Sequence, residues 1–144
     1  MKKILCLIAL FGTLTNSQAA CSFQTSTTDG VKKVINEHGG WPISDEQCSI
    51  LNNHNLALSV SGEATVLSNA SIAWSVVHLI DRDRNMTSNA SSINTIVNTK
   101  AASMNVASDL LFESITSSIK GLDFIKAMKE VENFRSKNLG TRKQ

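Results

Sequence analysis

Apolar and small polar residues alternate through the stretch Leu56–Ile80, on both sides of a Ser-Asn-Ala break at residues 68–70. A period of two residues is typical of a half-buried β-strand. Two such runs joined by a short polar break predict an antiparallel hairpin with strands over about 56–67 and 71–80. A weaker alternation over about 91–99 predicts a third strand of the same meander.

The larger apolar residues of the hairpin predict which of its faces is covered. In the second strand Ile72, Trp74 and Val76 share one face, and Trp74 is one of only two tryptophans in the chain. We therefore expect this face to pack against the core and the Ser- and Thr-rich face to meet solvent or a partner. Gly62 interrupts the first strand, which indicates a bulge or a close approach of the backbone.

The hydrophobic period changes to that of a helix in the C-terminal third and in two short N-terminal segments. Ser44 and Gln47 have the spacing of a capping box, the clearest local signal in the chain. Thr28 is a good N-cap for the preceding segment, and Asp123 for the last one. The predicted helices cover about 29–38, 45–53, 101–120 and 123–136.

These elements predict a small α+β domain with two layers. A sheet of two or three strands with one apolar face is not stable alone, and the C-terminal helices carry an apolar stripe that matches it. We therefore expect helices on one face of an antiparallel β-meander. The domain is predicted to cover 20–137, and the polar, basic residues 138–144 to form a flexible tail.

The N-terminus has the three parts of a secretory signal. A basic start, Met1-Lys2-Lys3, precedes the apolar run Ile4–Phe11 and a polar tail of small residues. The apolar run is too short to span a bilayer. We expect residues 1–19 to be removed by cleavage after Ala19, or else after Ala20. No other segment is apolar enough to span a membrane, so the predicted location is the periplasm or the exterior.

Cleavage also changes the charge and the cysteine count. The whole chain has 14 basic and 12 acidic residues, and loss of Lys2 and Lys3 leaves the mature chain near neutral. The formal positive charge therefore gives no indication of nucleic-acid binding. Cys6 leaves with the signal, which leaves Cys21 and Cys48 in an oxidising compartment.

Two uses of Cys21 remain open from the sequence. A Cys21–Cys48 disulfide would close a loop of roughly 28 residues and contribute on the order of 3.5 kcal/mol in the chain-entropy model. The rival interpretation is a lipid anchor, since Ala19-Ala20-Cys21 ends like a lipoprotein signal. Gln18 stands where such signals have a branched apolar residue, and lipidation would leave Cys48 without a partner.

One stretch resembles a metal loop in part. Asp81, Asp83 and Asn85 have the alternate spacing that begins a calcium-binding loop, but the glycine and the bidentate glutamate that complete such a loop are absent. Arg82 and Arg84 also compensate the two carboxylates. We interpret the segment as a charged turn between strands and predict no metal site.

A catalytic site can be drawn only loosely. His78 with Asp81 or Glu63 would serve as an acid–base pair in a small hydrolase. His38 and His54 show no ligand spacing. The chain has no Gly-x-Ser-x-Gly motif, no phosphate loop and no dinucleotide fingerprint, so we predict no cofactor.

The favoured hypothesis is a small, exported, non-enzymatic binding or accessory protein of the bacterial envelope. Its partner would be an envelope protein or a secreted toxin, bound through an open sheet face or edge. The hydrolase and the lipid-anchored envelope component are the alternatives. A hydrolase requires His78 and its acid to converge in one pocket.

Overall fold

The structure is a computed structural model that describes residues 21–140, with side chains up to residue 137. The predicted signal peptide and residues 141–144 of the predicted tail lie outside the described residues, and residues 138–140 continue the last helix. The elements in chain order are β1 (Gln24–Thr27), α1 (Asp29–Glu37), α2 (Asp45–Asn53), β2 (Leu56–Val66), β3 (Ser71–Asp81), β4 (Thr87–Asn98), α3 (Met104–Gly121) and α4 (Phe124–Gly140).

The predicted α+β class is confirmed, with four helices on one face of a four-stranded sheet. The strand order is β1-β2-β3-β4. Strands β2, β3 and β4 form the predicted antiparallel meander, while β1 is parallel to β2. Helix α3 packs on β3, β4 and β2, α4 packs on β4 and β3, and both N-terminal helices contact β2.

The local helix signals act as the sequence predicts. The Thr28 hydroxyl accepts a hydrogen bond from the Val31 amide. Ser44 and Gln47 form a complete capping box, in which each side chain accepts from the other residue's backbone amide. The Asp123 carboxylate accepts from the Lys126 amide at the start of α4. Because each cap satisfies backbone groups that a helix end leaves open, these residues fix where the helices begin.

The sheet has one strand more than the two or three predicted. The polar segment Gln24–Thr27 lacks the apolar alternation that identifies a strand, yet it pairs with β2 from Ala57 to Val60. Two tertiary links hold it there. A disulfide joins Cys21 to Cys48 on α2, and the Asn52 side chain donates to the Ser22 carbonyl.

The predicted covered face of β3 is wrong. Trp74 is 39% exposed, whereas Ala73, Ser75, Val77 and Leu79 are buried. The cause is the hairpin register, which pairs Gly62 with Ser75 and therefore directs Ser75, not Trp74, toward the helices.

Close packing by α3 explains why the small residues lie inside. A Cβ added at Gly62 would lie 2.7 Å from the Trp74 carbonyl oxygen and 3.0 Å from Cδ1 of Leu111 on α3. Helix α3 contributes Ser114 and Ser118 to the same contact, and both are fully buried. A large side chain at this position on β3 would push the helix away from the sheet.

Candidate interaction surface

The predicted acid–base residues lie apart. His78 pairs with Ser59 on β2 and Ser91 on β4, on the sheet face that the helices leave open. Partial burial lowers the pKa of His78, because burial disfavours the charged imidazolium. Asp81 lies three residues further along the strand, and side chains alternate between faces, so it projects to the opposite, helix-covered face.

Asp81 is committed to a structural contact. Its side chain is 1% exposed, and one carboxylate oxygen accepts from Arg135 Nε on α4 at 2.6 Å. The other accepts from the backbone amides of Asp83 and Arg84. Burial alone would raise the pKa of Asp81, but the hydrogen bonds and the positive charge of Arg135 together hold this pKa below its ordinary value.

Arg135 extends this contact to a third segment. Its two terminal nitrogens donate to the backbone carbonyls of His54 and Asn55, at 2.9 and 3.2 Å. One guanidinium therefore ties α4 to the turn after β3 and to the loop before β2. Both Asp81 carboxylate oxygens and all three Arg135 nitrogens therefore take part in contacts that join parts of the fold.

Residues 81–85 form the predicted turn, but Arg82 and Arg84 do not pair with the two carboxylates as predicted. Asp83 accepts from the Asn55 side chain at 2.7 Å. Arg82 Nε donates to the Gln24 side chain, and Arg84 donates to the Arg135 carbonyl. The negative charge of Asp81 is therefore paired with Arg135, which lies more than fifty positions away in the sequence, and not with an arginine of the turn.

Glu63 does not complete a pair with His78 either. It lies opposite Trp74, whereas His78 lies opposite Ser59. Four residues of a strand separate Glu63 from Ser59, which corresponds to about 13 Å. The other two histidines make separate contacts: His54 Nδ1 lies 2.7 Å from Glu132, and His38 stacks on Phe112.

A group of three serines is buried between β3 and α3. The hydroxyl of Ser75 lies 2.8 Å from those of Ser114 and Ser118, and all three residues are fully buried. Ser114 also donates to the Asn94 carbonyl. The hydroxyls thus satisfy one another and the backbone while they let α3 lie close to the sheet.

The most distinctive surface is an apolar patch on the open face of the sheet, which we call the outer apolar patch. Two cross-strand apolar pairs, Ile72–Val97 and Val76–Ile93, flank Trp74 on adjacent strands. Ile93 is 68% exposed and Val97 is 54% exposed. These exposed aliphatic and aromatic side chains adjoin one another and form one patch, unlike the isolated apolar residues that are common on protein surfaces.

The sequence contained the residues of this patch but not their orientation. Alternation showed that Ile72, Trp74 and Val76 share a face, and apolarity alone then placed that face inside. The size of the side chains on the other face of β3 could have indicated the covered face. Ala73 and Ser75, with Gly62 opposite on β2, are small enough for a helix to pack closely against them. The patch is thus the site that sequence reasoning assigned to the core.

A separate cleft lies at the end of the sheet near the hairpin. Its volume is about 590 Å³, and it is bounded by α1, by the first half of α3 and by Gly62, Glu63 and Ala64 of β2. Three consecutive strand residues border it, although neighbouring side chains point to opposite faces. The cleft therefore meets β2 along its edge.

The comparisons with known proteins identify no family. No family profile matches the chain, and no curated protein matches it. Among solved structures, the chain is similar to a protein described as a candidate lipoprotein from Caulobacter crescentus, with 11% identity and a TM-score of 0.33. The match covers 85% of this chain and 93% of the other. Among the described residues, no helix combines the length and apolarity needed to cross a membrane.

Proposed function

We propose that this protein is an exported, non-enzymatic binding or accessory protein of the bacterial envelope, and that it docks a partner protein on the outer apolar patch. The single observation that carries the proposal is the exposure of Trp74, Ile93 and Val97 together on a sheet face that none of the described helices covers. Tryptophan is enriched among the residues that dominate binding energy at protein interfaces. The N-terminal signal pattern and the Cys21–Cys48 disulfide support export to an oxidising compartment.

The chemistry of the face favours an apolar protein surface as the partner. The open face of β2, β3 and β4 carries Glu63 and His78 as its ionisable side chains and has no lysine or arginine. Cores of protein interfaces are depleted in charge in the same way. Trp74, Ile93 and Val97 line neither of the two clefts beside other elements, so these clefts offer an indole ring no recess within the patch. A partner with a recess for one indole ring therefore fits it better than a second copy of the same face.

The lipid-anchored alternative competes for the same sulfur atom. A thioether to lipid requires the Cys21 thiol, and that sulfur is bonded to Cys48. Mass spectrometry of the mature N-terminus distinguishes the two: we expect an unmodified first residue and a disulfide, whereas a diacylglycerol adduct on Cys21 would replace this part of the proposal.

The docking proposal is tested by site-specific photo-crosslinking in the native host. A photoreactive residue at Ile93 should give one discrete adduct, and the same residue at the matched control Ile125, which is 45% exposed on α4, should not. The adduct partner is then purified and titrated with the wild-type protein and with the double variant Ile93→Thr, Val97→Thr.

The expected result is a stable complex with the wild type and loss of that complex with the double variant. The wild-type chain alone should sediment as a monomer at the same concentration. A self-adduct with a dimer in sedimentation would show that a second copy occupies the patch, and would overturn the proposal. Equal binding by the double variant would overturn it as well.

A further inference from the structure

The edge of β2 becomes unpaired halfway along the strand. Strand β1 pairs with β2 only as far as Val60, because the chain leaves the sheet after Thr27 to enter α1. Strand β2 itself continues to Val66. Residues 61–66 therefore pair with β3 on one side, and no strand within residues 21–140 pairs with them on the other.

The direction of the free groups follows from the hairpin. The Leu67 amide donates to the Ala70 carbonyl at 2.8 Å, which makes this a hydrogen-bonded pair. Hydrogen-bonded pairs recur at every second residue of an antiparallel ladder, so Thr65 and Glu63 bond to β3. Gly62 and Ala64 then point their N–H and C=O groups away from β3, and no described residue outside the β2–β3 ladder makes a hydrogen bond to these groups.

A cleft beside these groups leaves room for an added strand. The cleft of about 590 Å³ borders Gly62, Glu63 and Ala64, with Gly30 and Val34 of α1 on one side and α3 on the other. Gly30 on α1 and Gly62 and Ala64 on the strand are small residues of this lining. An added strand here would continue the position that β1 occupies further back along β2.

The charge at the cleft selects among peptides. Lys33 of α1 is paired with Glu37 at 3.8 Å, whereas Glu63 has no ion-pair partner among the described residues. The Glu63 side chain projects to the open face of the sheet, with Trp74 opposite, so the edge beside the cleft carries one uncompensated acidic group on that face. A basic side chain of a bound segment would meet Glu63.

We propose that this cleft binds an extended, basic peptide segment of another protein, which adds to the free edge of β2 at Gly62–Ala64 as a strand. Main-chain hydrogen bonds to Gly62 and Ala64 hold the segment, and Glu63 favours a lysine or arginine on it. This site goes beyond the function proposed above, since it uses the edge of the sheet and not the outer apolar patch.

The probe for the test is a macrocyclic β-strand mimic that presents one free edge with alternating threonine and lysine. Its matched control carries N-methyl groups on the amides of that edge, which removes the donors and leaves the side chains unchanged. The mature protein is titrated with each mimic, and backbone amide shifts and amide hydrogen exchange are recorded.

We expect the amides of Gly62 and Ala64 to shift and to exchange more slowly with the first mimic. The N-methylated mimic should bind about tenfold more weakly or worse, because one net hydrogen bond of about 1.4 kcal/mol corresponds to a factor of ten. Glu63→Gln should weaken binding about threefold and reduce its salt dependence, as expected for an exposed ion pair.

A blocking variant keeps the fold intact. A Cβ at Gly30 would meet nothing within 4 Å, so Gly30→Gln fills the cleft and also raises helix propensity. This variant should no longer bind the mimic. The control Lys32→Gln places the same side chain on α1 away from the cleft and should bind the mimic as the wild type does. Equal binding of both mimics, retention by Gly30→Gln, or shifts centred on Trp74 would each overturn the proposal.

Discussion

The two faces of the sheet differ in which side chains are buried, and hydrophobicity alone does not explain the difference. On the helix-covered face of β3, the half nearest the hairpin carries Ala73 and Ser75, both fully buried. On the open face the same half of the strand carries Ile72 and Trp74. The larger and more apolar side chains are thus the more exposed ones. Burial in this region follows the fit to α3, and the outer apolar patch is what remains uncovered.

The other half of the hairpin behaves in the ordinary way. Leu56, Leu58 and Val60 of β2 and Val77 and Leu79 of β3 all face the helices and are fully buried. The covered face thus changes from large residues to small ones along its length. The change begins at Gly62, where a side chain would meet both backbone and Leu111.

The largest expected effect comes from the buried contact at the inner face. Arg135→Ala leaves Asp81 as an uncompensated buried carboxylate, so we expect the free energy of unfolding to fall by about 3–5 kcal/mol. Urea unfolding followed by circular dichroism measures this loss. Arg84→Ala is the control, since it removes an exposed side-chain contact to the Arg135 carbonyl and keeps the Arg84 backbone amide that donates to Asp81. A loss below about 1 kcal/mol for Arg135→Ala would contradict the structural role of the pair.

A second substitution tests close packing on the inner face. Gly62→Val introduces a Cβ within 3.0 Å of both the Trp74 carbonyl and Leu111, so we expect a cost of about 1–3 kcal/mol or more from overpacking. Gly30→Ala is the matched control, because its Cβ enters open space on a helix and should stabilise by about 0.5–1 kcal/mol. Wild-type stability of Gly62→Val would show that α3 does not lie against this strand.

Acid should weaken the inner-face contact without any substitution. The folded-state pKa of Asp81 is lowered, so its contribution to stability is complete above the ordinary aspartate pKa of about 3.9 and is lost as the pH falls through the lower folded pKa. We expect stability to fall more steeply below about pH 4 in the wild type than in Asp81→Asn. Parallel pH profiles would indicate that Asp81 titrates normally.

The smallest expected effect is on the outer face. The double variant Ile93→Thr, Val97→Thr changes exposed residues to another β-branched type, so the free energy of unfolding should stay within about 0.5 kcal/mol of the wild type. We expect positions 93 and 97 to tolerate substitution, whereas position 62 should not. A loss above about 2 kcal/mol would show that these residues belong to the core.

Much of the architecture was predictable because local signals and tertiary structure agree. Ser44 and Gln47 define the start of α2, and the stripe Ala107, Leu111, Ile115 and Ile119 on α3 is buried as its spacing predicts. The phase of β3 was not predictable from apolarity, because both of its faces contain apolar residues. Only the register with Gly62 decides between them.

The contacts that determine the candidate sites are non-local. Polar residues of β1 become a strand because a disulfide and Asn52 hold them beside β2. Arg135 on α4 contacts Asp81, which lies 54 positions earlier in the chain. The predicted pairing of His78 with Asp81 failed for a simple reason: residues three apart on a strand project to opposite faces.

The environment of Trp74 tests the central claim most directly. In a Trp41→Phe variant, Trp74 is the one remaining tryptophan, and its fluorescence can be measured in the native monomer with acrylamide as a quencher. The account predicts red-shifted emission that acrylamide quenches efficiently, and protection from quenching when the crosslinked partner is added. Blue-shifted emission that resists quenching in the free monomer would place Trp74 in the core and contradict the outer apolar patch.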